Sequence, residues 1–558
     1  MDVGRLVARS MRRYRDRIAL DGPEGTSTYG RTGSRIMQLA RGLRALGLVT
    51  GDRVLDLQSN QNTYIETDLG ISTAGLCRVA LNYRLHPTDW VRIAADCTPK
   101  VLILDAKFWD DAAGVRAMVD HIIVINAGVD GAEGATPYER FLDAQAPEPL
   151  LLNVDPDALV SLNYSSGTTG NPKGAIRTHR NRMASLHNIV TDFLGKVPDE
   201  RSCWVHAGPV THTSGLFVLP YFTFGGRQIV QAKFDPESLV DAFENRGANA
   251  TALVPTMVAR LLAMPDISLE RMANLEILGY AGAPMPPEQI RQCFERITPQ
   301  MSQYYGLVEA IPPVTVLGPA DHRRGIDGDL EILTSAGLPC NGVEIRIVDD
   351  QGEDLPTGEI GEVITRGDHV MRGYYGQAGQ DATVTKAVRD GWLYTGDLGR
   401  SDADERLFLV DRKGDMIISG GYNIYPREIE DVIAEVSGVH EVAVIGVEDA
   451  DWGQHVTAMI TVSAGASVTV EEVLEHCKSR MASYKKPKDV RIVAEFPLNS
   501  TGKIAKKVLR EQLSPEVELW VGGGWASTGR RHLPGGVHCV VNDEQVNAGL
   551  ARWRAAHA

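Results

Sequence analysis

The densest group of reactive side chains is Tyr164-Ser-Ser-Gly-Thr-Thr-Gly-Asn-Pro-Lys-Gly174. Ser165, Ser166, Thr168 and Thr169 supply hydroxyls, Gly167, Gly170 and Gly174 supply bare backbone, and Lys173 supplies charge, all within eleven residues. Glycines let backbone N–H groups approach an anion, hydroxyls donate to it, and a lysine adds Coulomb attraction. The direct reading is a phosphate cradle; a flexible polar loop is the weaker one. A Walker loop would end in Gly-Lys-Ser or Gly-Lys-Thr. Here Lys173 precedes Gly174 and Ala175, so the cradle is of another kind.

Six further segments follow: Ala281-Gly-Ala-Pro284, Tyr305-Gly-Leu-Val-Glu309, Tyr394-Thr-Gly-Asp397, Asp411-Arg412, Ser419-Gly-Gly-Tyr-Asn-Ile-Tyr-Pro426 and Asn499-Ser-Thr-Gly-Lys503. Any one of them is weak alone. In this order, with the loop at 164–174, they resemble the adenylate-forming superfamily of acyl-CoA synthetases, luciferases and peptide-synthetase adenylation domains. The resemblance spans about residues 15 to 513.

Each segment has a physical job that suits ATP. Tyr305, before Gly306, offers a ring face on which adenine could stack, and Gly282 and Ala283 would bring backbone polar groups to the adenine edge. Glu309 is a hard oxygen ligand fit for Mg²⁺ beside phosphates, with Thr168 as its hydroxyl partner. Asp397 can accept from both ribose hydroxyls, and Arg412 can approach the same sugar. Alone, Tyr305 reads as a core aromatic, Glu309 as a surface charge and Asp397 as a turn residue. Lys503 matches the family's adenylation lysine, placed to bridge the carboxylate and α-phosphate as negative charge develops. His212, in Val210-Thr-His-Thr-Ser-Gly215, matches the family's histidine at the acid pocket. Trp204, Thr213, Leu216 and Tyr280 are the expected pocket walls.

The resemblance implies two steps, formation of acyl-AMP and then transfer to a thiol, with a small domain rotating between them. Coenzyme A is the expected thiol. Gly420, Gly421 and Tyr422 would admit its pantetheine arm, Trp452 would stack on its adenine, and Tyr484, Lys485 and Lys486 would meet its phosphates. Alternatives within the fold are loading of a carrier protein and a luciferase-like oxygenase. Two positions depart from the family pattern. Val308 stands where threonine usually precedes the Mg²⁺-linked glutamate, which raises a third alternative: weakened adenylation with thioester formation kept. Gly414 stands at the hinge position, and Tyr422 replaces a frequent glutamate.

The elements that must position these residues alternate. Leu39–Leu46 and Tyr64–Ala74 read as helices, and Arg53–Leu57, Val101–Leu104 and Leu159–Leu162 as strands, which predicts a layered α/β domain. Short strands at Gly342–Val348, Gly361–Thr365 and Leu407–Val410 predict a small β-barrel that closes it. Beyond Asp411, strands at Met416–Ile418, Val442–Val447 and Thr457–Val462 and helices at Arg427–Val436 and Val470–Met481 predict a mobile α+β domain. The expected divisions are 1–410, a hinge at 411–415, 416–513, and a glycine-rich extension at 514–558 without an assigned role. The opening residues, with Val3, Leu6, Val7 and Met11 at helical spacing, predict an amphipathic helix.

Composition narrows the classes. The chain has 558 residues, 57 Lys and Arg against 72 Asp and Glu, and a net charge of −15, which argues against a general nucleic-acid binder. Hydrophobic residues make up 43%, enough for large cores. Seven cysteines without a Cys-x-x-Cys pair form neither a disulfide framework nor a zinc site. The longest apolar run, Leu216–Phe224, is too short to span a bilayer. The expectation is a bacterial, cytoplasmic enzyme with small-molecule partners, an acid, ATP and CoA, with a homodimer left open.

Overall fold

The computed structural model describes residues 2–127, 133–165, 172–376, 387–419, 422–449, 452–463, 465–498, 504–513, 518–521 and 524–527, the last two and Ser165 by their backbone only. The chain divides into two compact units, Met1–Gly414 and Asp415–Ala558.

The first unit holds two large sheets. One has the order Thr136–Pro137, His121–Ile125, Val101–Asp105, Arg53–Leu57, Cys77–Ala80, Leu159–Ser165, Lys173–Thr178. All its pairs are parallel except the last, which is antiparallel. Its central strands are buried on both faces, and Val101–Asp105 is buried at every residue, as strands covered on both sides must be. The second sheet is parallel through Met301–Tyr305, Ile277–Tyr280, Ala250–Leu253, Cys203–His206, Arg227–Val230 and Ile18–Gly22, with antiparallel strands at both edges. A smaller antiparallel sheet of Glu344–Val348, Gly361–Arg366, Val388–Arg389, Trp392–Ser401 and Leu407–Arg412 completes the unit. This is the α/β architecture with a small β unit that the sequence predicts.

Helices Val3–Arg13, Tyr29–Ala45, Asn62–Thr73 and Val218–Phe224 share one core with Ala19, Leu20 and Val230 of the second sheet. Asn62–Thr73 is buried at every residue, so its acidic side chains need partners. Arg35 Nε meets Glu66 at 2.7 Å, and Arg78 and Arg182 both meet Asp68.

Some boundaries differ from the sequence reading. The helix expected from Leu39 starts at Tyr29, where Thr28 accepts from the Arg31 N–H as its N-cap. Gly30 and Gly33 disguise that first half, yet Gly33 is required: a Cβ there would meet Met11 Cβ at 2.3 Å, so the glycine lets two helices touch. The opening helix stops at Arg13, and Ile18–Gly22 joins the second sheet as a strand. The apolar run at Leu216–Phe224 splits into a 3₁₀ turn, Thr213–Phe217, and the helix Val218–Phe224.

The second unit is a sheet of Tyr422–Ile424, Ile417–Ser419, Gly453–Val462 and Val439–Asp449, with Asp489–Ile492 parallel to Gly453–Val462. Helices Pro426–Ala434 and Val470–Arg480 share its core through Ile429, Ile433, Val473 and Cys477. Pro426 takes the first helical position, where its missing N–H costs nothing. In the extension, Glu518–Val521 and Gly524–Ser527 pair as an antiparallel hairpin.

Candidate active site

Three distant stretches meet beside the strand Lys173–Thr178. The chain at 372–375 pairs with it, through Ile176 N–H to Gly373 O and Tyr375 N–H to Gly174 O, both in ordinary hydrogen-bond range. The stretch at 309–311 docks on the same segment through Met371 N–H to Glu309 O at 2.8 Å and Ile311 N–H to His369 O at 2.9 Å. Those ladders set side chains against one another. The Tyr374 hydroxyl donates to Glu309 Oε1 at 2.8 Å, and Lys173 Nζ lies 5.8 Å from the Tyr374 ring centre. Burial and the neighbouring Glu309 carboxylate push the Tyr374 hydroxyl well above its ordinary pKa, so it stays a donor. Gly174 is fixed by sterics: a Cβ would lie 2.7 Å from the Tyr164 ring, which is itself anchored by a 2.6 Å bond from its hydroxyl to Asp96.

A second group forms at the carboxyl ends of two adjacent parallel strands, where open α/β sheets receive ligands. Gly282, with φ of +88°, and Ala283 are exposed just beyond Ile277–Tyr280. Tyr305 ends the neighbouring strand, and its hydroxyl donates to Asp397 Oδ2 at 2.5 Å. Asp397 and Arg412 are register partners in the small sheet, and Arg412 Nε reaches Asp397 Oδ1 at 3.0 Å. Gly306 is obligatory, since a Cβ would meet Pro312 at 2.7 Å. Tyr305, Asp397 and Arg412, quoted above from three separate segments, are therefore one hydrogen-bonded cluster.

His212 caps the 3₁₀ turn Thr213–Phe217, with Nε2 3.1 Å from Asn82 Nδ2. Thr213 is half-buried beside it. Leu216 is half-buried, and the remaining two expected pocket walls are core residues. Trp204 is fully buried and stacked 3.7 Å from Phe217, and Tyr280 is fully buried with its hydroxyl on His322. Ser166, Gly167, Thr168, Thr169, Gly170, Gly420, Gly421 and Lys503 lie outside the described residues, as does the Ser165 side chain.

Two residues escaped the sequence reading, Tyr374 and Arg177. Arg177 Nη2 donates to the Val308 carbonyl at 2.8 Å, and Nε donates to the same oxygen at 3.3 Å. Burial lowers its pKa to about 10, with Glu309 pulling the other way, so it remains a cation at neutral pH. The Gly-Tyr-Tyr-Gly run at 373–376 was the available signal for Tyr374; nothing in the sequence marks Arg177.

The AMP-binding enzyme model matches residues 7–375, and the AMP-binding enzyme C-terminal domain model matches 428–503. The chain belongs to the AMP-binding enzyme family. It is 35% identical over 487 residues to a feruloyl-CoA synthase of Amycolatopsis, covering 87% of this chain and 94% of that one. It is 31% identical to a medium/long-chain-fatty-acid–CoA ligase of Mycobacterium tuberculosis, covering 94% and 91% of the two chains. Among solved structures, ATP-bound MatB from Rhodopseudomonas palustris matches with a TM-score of 0.80 at 29% identity, covering 92% of this chain and 99% of that one. The amide bond synthetase McbA from Marinactinospora thermotolerans matches with a TM-score of 0.82 at 27% identity, covering 92% and 100%.

This AMP-binding enzyme also carries an aromatic surface within its second unit. Tyr422 and Tyr484 stack with ring centres 4.6 Å apart, and both are exposed. Lys488 Nζ sits 4.3 Å above the exposed Trp452 ring. Ser419 pairs with both Tyr422 and Gly453, which brings the two aromatic sites to one corner of the sheet. Lys485, expected to meet phosphates, is paired to Glu428 at 2.6 Å. Lys486 is half-buried in the same turn. Among the described residues no helix is long and apolar enough to cross a membrane.

Proposed function

We propose that this AMP-binding enzyme is an AMP-forming acid–thiol ligase that activates a hydrophobic or aromatic carboxylic acid and transfers the acyl group to coenzyme A. The observation that carries the reading is the convergence in one unit of a nucleoside-facing cluster, Tyr305–Asp397–Arg412, and an anion-handling cluster, Lys173–Tyr374–Glu309. The feruloyl-CoA and fatty-acid–CoA relatives support both the thiol and the acid class.

In the first step the acid's carboxylate oxygen attacks the α-phosphorus of ATP and pyrophosphate leaves. Such transfers are catalysed mainly by positioning and charge neutralisation. Asp397 and Arg412 would hold the ribose and Tyr305 the adenine; Lys173 would meet phosphate oxygens. Glu309, with Thr168, would hold Mg²⁺. One carboxylate plus phosphate oxygens is an ordinary magnesium set, and Tyr374 takes only one of the carboxylate's acceptor sites. When bound, the ion neutralises phosphate charge. Lys503 would stabilise the charge that builds between acid and phosphate. In the second step the thiol attacks the acyl carbon and AMP departs.

Gly414 is the proposed pivot between the steps. Lys413 is tied to Asp350 at 2.9 Å and Glu362 at 3.1 Å in the first unit, and Asp415 is paired with Arg510 in the second. Gly414, between these anchors, has nothing within 4 Å of a Cβ position. On the second unit, the Tyr422–Tyr484 and Trp452–Lys488 pairs are the proposed CoA contacts. Action in the cytoplasm completes the reading.

A second reading rests on Val308. Its side chain packs with apolar neighbours and its carbonyl is held by Arg177, so the position offers no hydroxyl to a phosphate. Adenylation would then be slow while thioester formation from supplied acyl-AMP persists. The deciding experiment screens an acid library with ATP and CoA for thioesters by mass spectrometry. Thioesters with stoichiometric AMP support ligation. Products only from synthetic acyl-AMP support the second reading, and no product from either refutes both.

A further inference from the structure

A cavity of about 100 Å³ lies beside the first large sheet, against Arg78, Val160 and Arg177, and borders His212. That is room for several waters, and hence for a carboxylate-sized group. One wall is apolar, with Leu216, Leu219 and Ile311. The rest of the lining carries Arg78 and Arg182, both on Asp68, together with Arg177.

Charge accounting separates these three arginines. Arg78 is paired with Asp56 at 2.6 Å and Asp68 at 3.2 Å, and Arg182 is paired with Asp68. Arg177 has no carboxylate in ion-pair contact among the described residues; its recorded acceptors are the carbonyls of Leu307 and Val308. Carbonyls satisfy N–H groups but do not cancel a charge, and a sequestered cation without a counter-ion is costly. Three guanidiniums therefore have two carboxylates, Asp56 and Asp68, in ion-pair contact, and Glu309, acting on Arg177 from beyond that range, only partly offsets its burial. Thr211 lines the same cavity, and its buried hydroxyl has no hydrogen-bond partner. A cation without a carboxylate in contact and a hydroxyl without a partner on one cavity are the complement of an anionic oxygen group, for which a guanidinium fork is the best-shaped donor.

We propose that this cavity receives a second anionic oxygen group, a distal carboxylate carried by the acid substrate, with Arg177 as its specificity-determining contact and Thr211 as a hydroxyl donor. The substrate is then an apolar or aromatic diacid: one carboxylate reacts near His212, and the other lies against Arg177. The assignment rests on the ligase reading only for where the reacting carboxylate sits. The apolar wall explains why the spacer between the two acid groups is hydrocarbon.

The test is calorimetric titration of the full chain with diacids of graded length, aliphatic and benzene-centred, each beside its monoacid isostere in which methyl replaces the distal carboxylate. Wild type should bind one length of diacid about thirty-fold tighter than its isostere, the size of a charge-assisted hydrogen bond. Arg177→Gln should reduce that ratio to near one, Arg177→Lys should restore part of it, and Thr211→Val should lower it about five-fold. Equal affinity for every diacid and its isostere in wild type overturns the proposal whether or not the variants fold. A ratio unmoved by Arg177→Gln overturns it too, as does stimulation of monoacid turnover by free acetate or benzoate without any diacid preference, because the anion would then be a separate ligand. Thioester formation is scored in parallel. A diacid preference without thioester would refute the ligase reading and leave the subsite standing, and thioester without the preference would do the reverse.

Discussion

Val308→Thr tests the second reading proposed above, in which a missing hydroxyl separates full ligation from thioester formation alone. Threonine has nearly the shape of valine, and the backbone at this point is fixed by Arg177, whose Nη2 and Nε both hold the Val308 carbonyl, at 2.8 and 3.3 Å. The substitution thus exchanges a methyl for a hydroxyl without moving the chain. If phosphate lies beside Glu309, the new donor contributes about 1–3 kcal/mol to the transition state, or roughly ten- to a hundred-fold in rate. The hydroxyl is also placed against apolar neighbours, and because the site is only half-buried the stability cost is about 1 kcal/mol, a fall in Tm of about 2 °C. Acid-dependent ATP–pyrophosphate exchange reads the first effect, and thioester formation from synthetic acyl-AMP serves as the control. Exchange should rise at least ten-fold with the control unchanged. Equal exchange in the two proteins, with the threonine variant folded, would refute the claim that a missing hydroxyl limits adenylation.

Three further outcomes are expected. Lys503→Ala should abolish pyrophosphate release while thioester formation from added acyl-AMP continues; equal loss of both would mean the lysine serves neither step selectively. Asp397→Asn keeps the shape but removes the charge that Tyr305 and Arg412 share, so ATP affinity by calorimetry should fall about thirty-fold, the worth of a charge-assisted hydrogen bond; an unchanged affinity would remove Asp397 from the nucleotide site. His206 is fully buried between Ser214 and Gln228, and burial lowers its pKa from 6.5 to about 4. Above pH 6.5 it is neutral both folded and unfolded, so its contribution is complete. Between 6.5 and 4 only the unfolded chain takes the proton, and stability should fall with pH by up to about 1.4 kcal/mol per unit. His179, His322 and His369 are lowered to about 4 in the same way, so urea midpoints from pH 7.5 to 4.5 should show a slope that these histidines share, and in His206→Asn it should become shallower by up to about 1.4 kcal/mol per unit; the same slope in both proteins would exonerate this histidine.

The parts of the fold that were legible in the sequence are those where burial is one-sided or complete. Arg53–Leu57 stands as read, and Val101–Asp105 extends its reading by one residue, because short runs rich in Val, Ile and Leu between polar turns have few other uses. The first half of Tyr29–Ala45 was not legible, since Gly30, Gly33 and Ser34 weaken helix propensity, and the reason for Gly33 is Met11 on another helix. The site divides in the same way. Tyr305, Asp397 and Arg412 could be named from their segments, but the bond between them could not, because it depends on Asp397 and Arg412 being opposite in a small sheet. Arg177 was invisible for a sharper reason. An arginine in a strand reads as a surface charge until the partner strands are known, and only the pairing of Ile176 with Gly373 turns this one toward the Glu309 segment.

The two halves of the proposed site also differ in what a nucleotide would have to do to enter them. Tyr305 and Arg412 already bond to Asp397, so the proposed sugar end would offer a preset acceptor, and ordering it would cost little on binding. The phosphate end has to accept new charge. Tyr374 bonds to Glu309 there, which would look like competition for a cation. A carboxylate, however, accepts at about four lone-pair sites, so a single hydroxyl on Oε1 leaves room for a metal and fixes the direction in which the carboxylate points. Tyr374 is better understood as orienting Glu309 than as blocking it. Its raised pKa fits that role, because a hydroxyl that ionised would turn from donor to repelling anion beside the same carboxylate.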